Sequence, residues 1–237
     1  MKKIFAIIFL FSFYGFHHVE AQLLKGTKDI FKTDKSGLSQ QEAGEGIKEA
    51  LLKGINQGVA EVNQLDGYLR NPQIAIPFPP DAQRAEAKLR SIGLGDKVDE
   101  VIVSLNRAAE DAAAEAKPIF MEAIRGLTFQ DALNIVSGEK DAATQFLQRN
   151  TTNSLTDKFK PIIGNSLEKV NATRYWEGVM SSYNKIPLVQ KVDPDLEAYV
   201  TERAIAGLFV MVAKEELAIR NNPAARTTDT LRKVFGR

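Results

Sequence analysis

The chain has 237 residues, with 31 Lys plus Arg against 30 Asp plus Glu, two histidines, one tryptophan and no cysteine. No disulfide and no thiolate metal site can form, and the near-neutral balance lacks the concentrated basic surplus that binds nucleic acid. Stability has to come from packing, for which the length allows one core-bearing domain or two small ones.

The N-terminus reads Met1-Lys2-Lys3, then "IFAIIFLFSFYGF", then "HHVEA", with Val19 and Ala21 at the spacing signal peptidases accept. A basic start, an apolar core of 13 residues and a small-residue cleavage site predict a signal peptide over residues 1–21, too short for a membrane span. The mature chain would begin at Gln22, be exported to the periplasm or cell surface, and carry no transmembrane segment. His17 and His18 leave with the leader. So do Lys2, Lys3 and Glu20, which takes two from the 31 basic and one from the 30 acidic side chains and leaves a formal charge of zero. Without imidazole or thiol, the exported form is excluded from Ser-His-Asp and Cys-His catalysis and from haem attachment. Carboxylate hydrolysis, a Ser-Lys pair and oxygen ligation of Ca²⁺ or Mg²⁺ stay chemically open.

Residues 22–38 read as a loosely ordered lead-in and 39–237 as a single all-helical domain. Ser39-Gln40-Gln41-Glu42 has the form of a capping box. Ile47, Leu51, Ile55, Val59, Val62 and Leu65 follow at helical spacing, and Ala50, Gly54 and Gly58 make a small-residue stripe that predicts a close helix crossing. In "GYLRNPQIAIPFPPD", Ile74, Ile76 and Phe78 alternate with Ala75 and Pro77. Prolines at 77, 79 and 80 lack the N–H that a central strand needs, so the stretch predicts an extended strap across helices. Asp81 is placed to cap a short helix through Ser91, which Gly93 and Gly95 stop.

Asp96 to Asp99 opens a helix whose face is Val98, Ile102, Leu105, Ala109, Ala112 and Ala116, and Pro118 either kinks it or begins the next. Thr128 and Asp131 bracket the start of "FQDALNIVS", with Gly138 as its end. "DAATQFLQRN" predicts another turn or two of helix, and "SLTDKFKPIIGNSLEKV" continues the pattern with an internal Pro161. The echo of "AKPIF" at 116 in "FKPII" at 159 raises a duplicated unit on a very short match. Asp193-Pro194-Asp195 starts a helix in which Ala204 to Ala213 carries no charge on any side, the composition of a central buried helix. Asn221-Asn222-Pro223 stops it, and Thr228 caps a last short one. Eight to ten helices without a convincing strand predict an all-α, bundle-like domain with a proline-rich extended strap.

Several strings in this order resemble an uncharacterised family of exported bacterial proteins catalogued as domain of unknown function 4197. They are "GIKEALLKG", "GYLRNPQIAIPFP", "NRAAEDAAAEAKPIF", "TFQDALNIVSGEKDAAT", "KPII", "YVTERAIAGLFVMVAKEELAIRNNP" and "LRKVFG". The likeness runs from about Leu38 to Gly236. Some members carry a lipobox cysteine, which this chain does not; Leu127 stands where methionine is common, and Phe146 where tyrosine is. The resemblance implies an exported helical body and brings no established activity.

Asn106 and Glu110 are four apart on a line bordering the apolar stripe, and Arg107 and Asp111 form a second, more outward i,i+4 pair. Arg203 precedes the charge-free helical stretch, and Glu215, Glu216 and Arg220 follow it. Asn106, Arg107, Glu110, Arg203, Glu216 and Arg220 are therefore the candidate polar cluster, either as structural pairs or, if an arginine reaches Glu110 across the bundle, as a buried network or an anion pocket. The alternating carboxylates of Asp193, Asp195 and Glu197 lack the glycine and distal glutamate of a calcium loop, so no metal site and no cofactor are assigned.

Three functions fit. The first is a non-catalytic binding or interaction module for an envelope protein or small ligand. The second is a carboxylate-dependent hydrolase of glycan or cell-wall material, with Glu110 as acid and Glu115, Glu122 or Asp131 as the second carboxylate. The third is a carrier of an apolar ligand or lipid in a cavity lined by Phe120, Trp176, Phe209 and Met211.

Overall fold

In the computed structural model, residues 40–169, 171–185, 191, 195–222, 224 and 232 are described, and they belong to one compact unit that starts at Gln40. The leader, the lead-in, the Ser39–Glu42 box, Asp193, Pro194 and the Thr228 cap lie outside the residues or side chains described. Among the described residues, eight α-helices can be delimited, in order: α1 Gln40–Val62, α2 Gln83–Ser91, α3 Gly95–Ala113, α4 Ala116–Arg125, α5 Phe129–Ser137, α6 Ala142–Lys169, α7 Ala172–Tyr183 and α8 Leu196–Asn221. No strand occurs among the described residues, so the fold is all-α. None of these helices is long and apolar enough to cross a membrane.

α8 is the centre of the bundle, packing most extensively against α1 and α6, while α3 packs on α6. Its charge-free stretch buries Ala204, Leu208 and Met211 completely. Burial does not run all round, however: Ala206 is exposed and Val210 is 42 % exposed. Absence of charge therefore marks the right helix and overstates its enclosure. The small-residue stripe of α1 meets α8 closely, since a Cβ built on Gly54 would stand 3.5 Å from Glu215 Cβ, and one on Gly58 3.5 Å from the Met211 backbone. The apolar stripe on α1 is buried from Ile47 to Val62, whereas Leu65 falls past the helix end and is exposed.

Pro118 settles in the first turn of α4, where its missing N–H costs no intrahelical bond, and the chain breaks at Ala114–Glu115 rather than kinking. Pro161 behaves differently. It lies inside α6, which runs unbroken for 28 residues, longer than the separate pieces its polar sequence suggests. Thr151, Thr152 and Thr156 each donate to the carbonyl four residues back, at 2.6–2.9 Å, so hydroxyls that compete with the helix elsewhere are folded onto it here. Buried Phe159 and Ile163 flank the exposed proline and hold that stretch to the core. The two proline echoes thus occupy unlike settings and mark no duplicated unit.

Asp81 does not cap α2: it sits in a 3-10 turn over Pro80–Ala82, and α2 starts at Gln83 behind Ala82 with no side-chain cap. Asp96 likewise falls inside α3, which starts at Gly95 without a side-chain cap. Gly93 does end the α2 region, with φ +83°. At α5 the capping box is complete, Thr128 Oγ1 accepting from Asp131 N–H at 3.1 Å and Asp131 accepting from Thr128 N–H at 3.0 Å. The Thr128 hydroxyl and then its N–H hold the Asp131 carboxyl below its ordinary value. Its contribution is present above the usual carboxylate range and lost as pH falls through the lowered value. Thr128→Ala is expected to cost about 1 kcal/mol in urea unfolding at neutral pH, and less in acid.

Candidate functional site

The candidate polar residues fall into two clusters and one outlier. The first cluster ties the strap to α3. At the end of α1 the chain turns through Asp66, at φ +68°, and Gly67, where an added Cβ would come within 2.6 Å of the Glu61 and Val62 carbonyls. Only glycine fits that approach. Beyond the turn, Glu110 Oε1 on α3 accepts from Tyr68 N–H at 3.0 Å and Leu69 N–H at 3.3 Å, and Oε2 accepts from Arg107 at 2.6 Å. The other arm of Arg107 donates to Asp66 at 2.6 Å, and Asp66 also pairs with Arg70 at 2.9 Å. Hydrogen bonds donated to Asp66 and then to Glu110 raise the Arg107 pKa.

One helical turn earlier, Asn106 grips Ile76 from both sides. Its Oδ1 accepts Ile76 N–H at 2.8 Å, and its Nδ2 donates to Ile76 O at 2.9 Å and to Ile102 O at 2.8 Å. The amide thus supplies the donor and acceptor that a neighbouring strand would, which lets an extended segment be buried without a sheet. Ile74, Ile76 and Phe78 point inward as their alternation predicts. Tyr68 completes the clamp: its hydroxyl donates to Ala204 O at 2.7 Å, and its ring fills the space left by Gly207, whose absent Cβ would come within 2.8 Å of it. Burial, and secondarily the Glu110 charge, push the Tyr68 phenol pKa up.

The second cluster joins three helix ends. Glu216 on α8 accepts at Oε1 from Ala143 N–H at 3.0 Å and at Oε2 from Thr144 N–H and hydroxyl at 2.8 Å each. These amides belong to the first turn of α6, so a carboxylate from another helix occupies the capping position. Arg220 donates to Glu216 at 2.8 and 3.0 Å and to Ile135 O, in the last turn of α5, at 2.8 Å. Carboxylate at one helix's N-terminus and guanidinium at another's C-terminus complement both dipoles at once.

Arg203 is the outlier, exposed on α8 beside Tyr199, and it hydrogen-bonds to neither cluster. Arg220 does not reach Glu110 either; each glutamate keeps an arginine of its own helix. The expected Arg107–Asp111 pair is absent, because Arg107 turns to Asp66 and Glu110, and Asp111 accepts from Ser166 Oγ at 2.9 Å.

Asn106 and Glu110 therefore face the buried strap rather than an open cleft. The proposed second carboxylates lie elsewhere: Glu115, Glu122 and Asp131 line an open groove of about 780 Å³ between α4, α5 and α6, opposite Arg149 and Lys158. The four residues assigned to one apolar cavity are split among separate contacts. Phe120 meets Phe209 edge-on at 5.8 Å, Trp176 meets Phe78 at 5.1 Å, and Met211 lies under Gly58 and Asn71. Among the described residues no group of three or more carboxylates is placed to hold a metal ion; Asp195 instead caps α8 through Ala198 N–H at 2.8 Å.

Fold and clusters together define a helical domain whose interior polar groups clamp one strap and splice helix ends. The chain belongs to the family described as protein of unknown function DUF4197, whose sequence profile matches residues 37–236. No curated protein and no solved structure matches it.

Proposed function

We propose that the protein is a non-catalytic binding or interaction module of the bacterial cell envelope, exported by cleavage after Ala21. One observation carries this reading. The two buried carboxylates among the described residues, Glu110 and Glu216, spend their oxygens on the chain's own amides and one arginine each. A carboxyl so occupied has no room to hand a proton to a substrate. Asp131, in the open groove, is held acidic by its capping box, the reverse of what a general acid needs. The groove's mixed carboxylates and cations suit recognition of a surface that carries both signs.

The test is affinity capture from envelope extracts with the folded mature protein, analysing both co-purifying proteins and organic-soluble molecules. A specific protein or small molecule retained through washing at moderate salt is the expected result. Recovery of neither, from protein shown to be folded, would sink this proposal, as would glycan hydrolysis that disappears in a Glu110→Gln variant of unchanged stability.

A further inference from the structure

The open groove between α4, α5 and α6 has two walls of opposite sign. The charged residues that α4 and its N-cap bring to it are carboxylates, Glu115 and Glu122, and those that α6 brings are cations, Arg149 and Lys158. All four are exposed. Ile119 and Ala123 of α4 are half-buried and Phe146 of α6 is buried, so an apolar floor lies below the charged rims.

Elsewhere, opposite charges on neighbouring helices close into pairs, Arg90 of α2 with Asp99 of α3 at 2.7 Å and Lys214 of α8 with Glu61 of α1 at 3.0 Å. Across this groove they do not. Among the described residues no ion pair joins α4 to α6, and Glu122 has a loose 3.6 Å contact with exposed Arg125 of its own helix. Asp131, the remaining charge of the groove, has its carboxylate taken up by the Thr128 capping box. The walls stand too far apart to neutralise each other, which leaves both open to charges from outside.

The arrangement selects its occupant. A polyanion is repelled by the α4 wall and a polycation by the α6 wall. A small zwitterion satisfies one charge on each side and leaves the others, since Glu115 and Glu122 are seven positions apart and Arg149 and Lys158 nine, about 10 and 14 Å along their helices. The groove therefore asks for three faces at once, one basic, one apolar and one acidic. An extended strand presents two, and a helix presents all three.

We infer that this groove receives one amphipathic helix of a partner protein, two to three turns long, with its apolar face on Ile119, Ala123 and Phe146, a Lys/Arg flank along α4 and an Asp/Glu flank along α6. This deepens the binding-module reading by naming the kind of partner, and rests on it. Apolar contact supplies affinity, and the flanks select the partner, as they do at the edges of a coiled-coil seam. Turning such a helix end for end exchanges its flanks, so the walls also set the direction in which it lies.

The test titrates the full chain into three labelled helical peptides that share one apolar face, following anisotropy at low salt. One peptide has Lys on one flank and Glu on the other, the second Lys on both, the third Glu on both. The two-sign peptide is expected to bind about tenfold more tightly than either other, a margin that shrinks at high salt. Reversing the α6 wall with Arg149→Glu and Lys158→Glu should make the all-Lys peptide the tightest. Reversing the α4 wall with Glu115→Lys and Glu122→Lys should do the same for the all-Glu peptide, so either variant serves if the other fails to fold.

Equal affinities of the three peptides, no binding of the two-sign peptide at about millimolar protein, or a ranking that a folded reversal leaves unchanged overturns the inference. The two proposals fail separately. Envelope capture that retains a partner equally on the wild type and on a reversed wall removes the groove and keeps the module. The expected peptide ranking with nothing captured from envelope keeps the groove as a helix site and removes its place in an envelope module.

Discussion

Glu216→Ala is expected to lower stability by about 3–5 kcal/mol, read as a shift of the urea midpoint at unchanged slope. The size follows from what the truncation strands. Glu216 and Arg220 side chains are 8 % and 14 % exposed, so the truncation takes from a largely buried guanidinium the carboxylate it pairs with, while its bond to Ile135 O stays. It also leaves the Ala143 and Thr144 amides, in the first turn of α6, without the oxygens that satisfy them. Glu216→Gln restores shape and one acceptor while presenting an NH₂ to these donors, so it should recover only part of the loss. Arg220→Ala in the Glu216→Ala background should cost far less than in the wild type, because the stranded charge is then gone. An exposed pair gives the contrast: Lys97→Ala, which breaks a 2.7 Å contact to Glu100 at 71 % and 65 % exposure, should stay within about 0.5 kcal/mol. Equal effects at Glu216 and Lys97 would refute the helix-splicing role.

How far the sequence foretold this depends on whether a signal is local. The Thr128–Asp131 box and the Gly138 stop lie within ten residues, and the structure has them as read. The strap was legible in part: Ile74, Ile76 and Phe78 are buried in alternation and the prolines forbid a ladder, but the segment opens with hydrogen-bonded turns, Arg70 N–H on Asp66 O and then Ile74 and Ala75 N–H on Asn71 O, before it runs on without them. Gly54 and Gly58 announced a close approach and left the approaching partner open, which proved to be α8. α6 was the main difference. Its Thr- and Asn-rich surface and Pro161 lower local helix propensity, and tertiary packing of Leu147, Leu155, Phe159 and Ile163 overrides it.

The candidate polar residues were legible as places and illegible as arrangements. Spacing put Asn106 and Glu110 on one line, which holds, and also paired Arg107 with Asp111, which does not. An arginine has several partners in reach, and Asp66, brought to α3 by the Gly67 turn, lies 41 positions away in sequence. The principal partners of Glu110 and Glu216 are backbone amides, which every residue carries and no composition reveals. Tyr68 left a possible signal, an aromatic next to the turn glycine, that points nowhere until Gly207 is seen opposite it.

Glu110→Ala is the second large effect expected, again about 3–5 kcal/mol, with a different physical signature. Glu216 splices helices, whereas Glu110 holds a segment that has no helix or sheet of its own. Its loss orphans Tyr68 N–H and Leu69 N–H and removes one of the two carboxylates on Arg107. Amide hydrogen exchange at Tyr68 and Leu69 should therefore accelerate beyond the global change, while α8 amides follow the global stability alone. Asn106→Ala should free Ile76 in the same local manner, since both its amide and its carbonyl lose their partner. The two substitutions act on one strap through separate bonds. If Glu110 and Asn106 clamp independently, their costs add within about 0.5 kcal/mol; if release at either end frees the whole strap, the double variant costs clearly less than the sum. The buried Tyr68 side chain adds a bond from its hydroxyl to Ala204 O at the Glu110 end of the strap, and favours addition because it keeps that end in place when the Glu110 bonds are lost. Tyr68→Phe in the double-variant background decides it, since removing this remaining bond should turn two local openings into one.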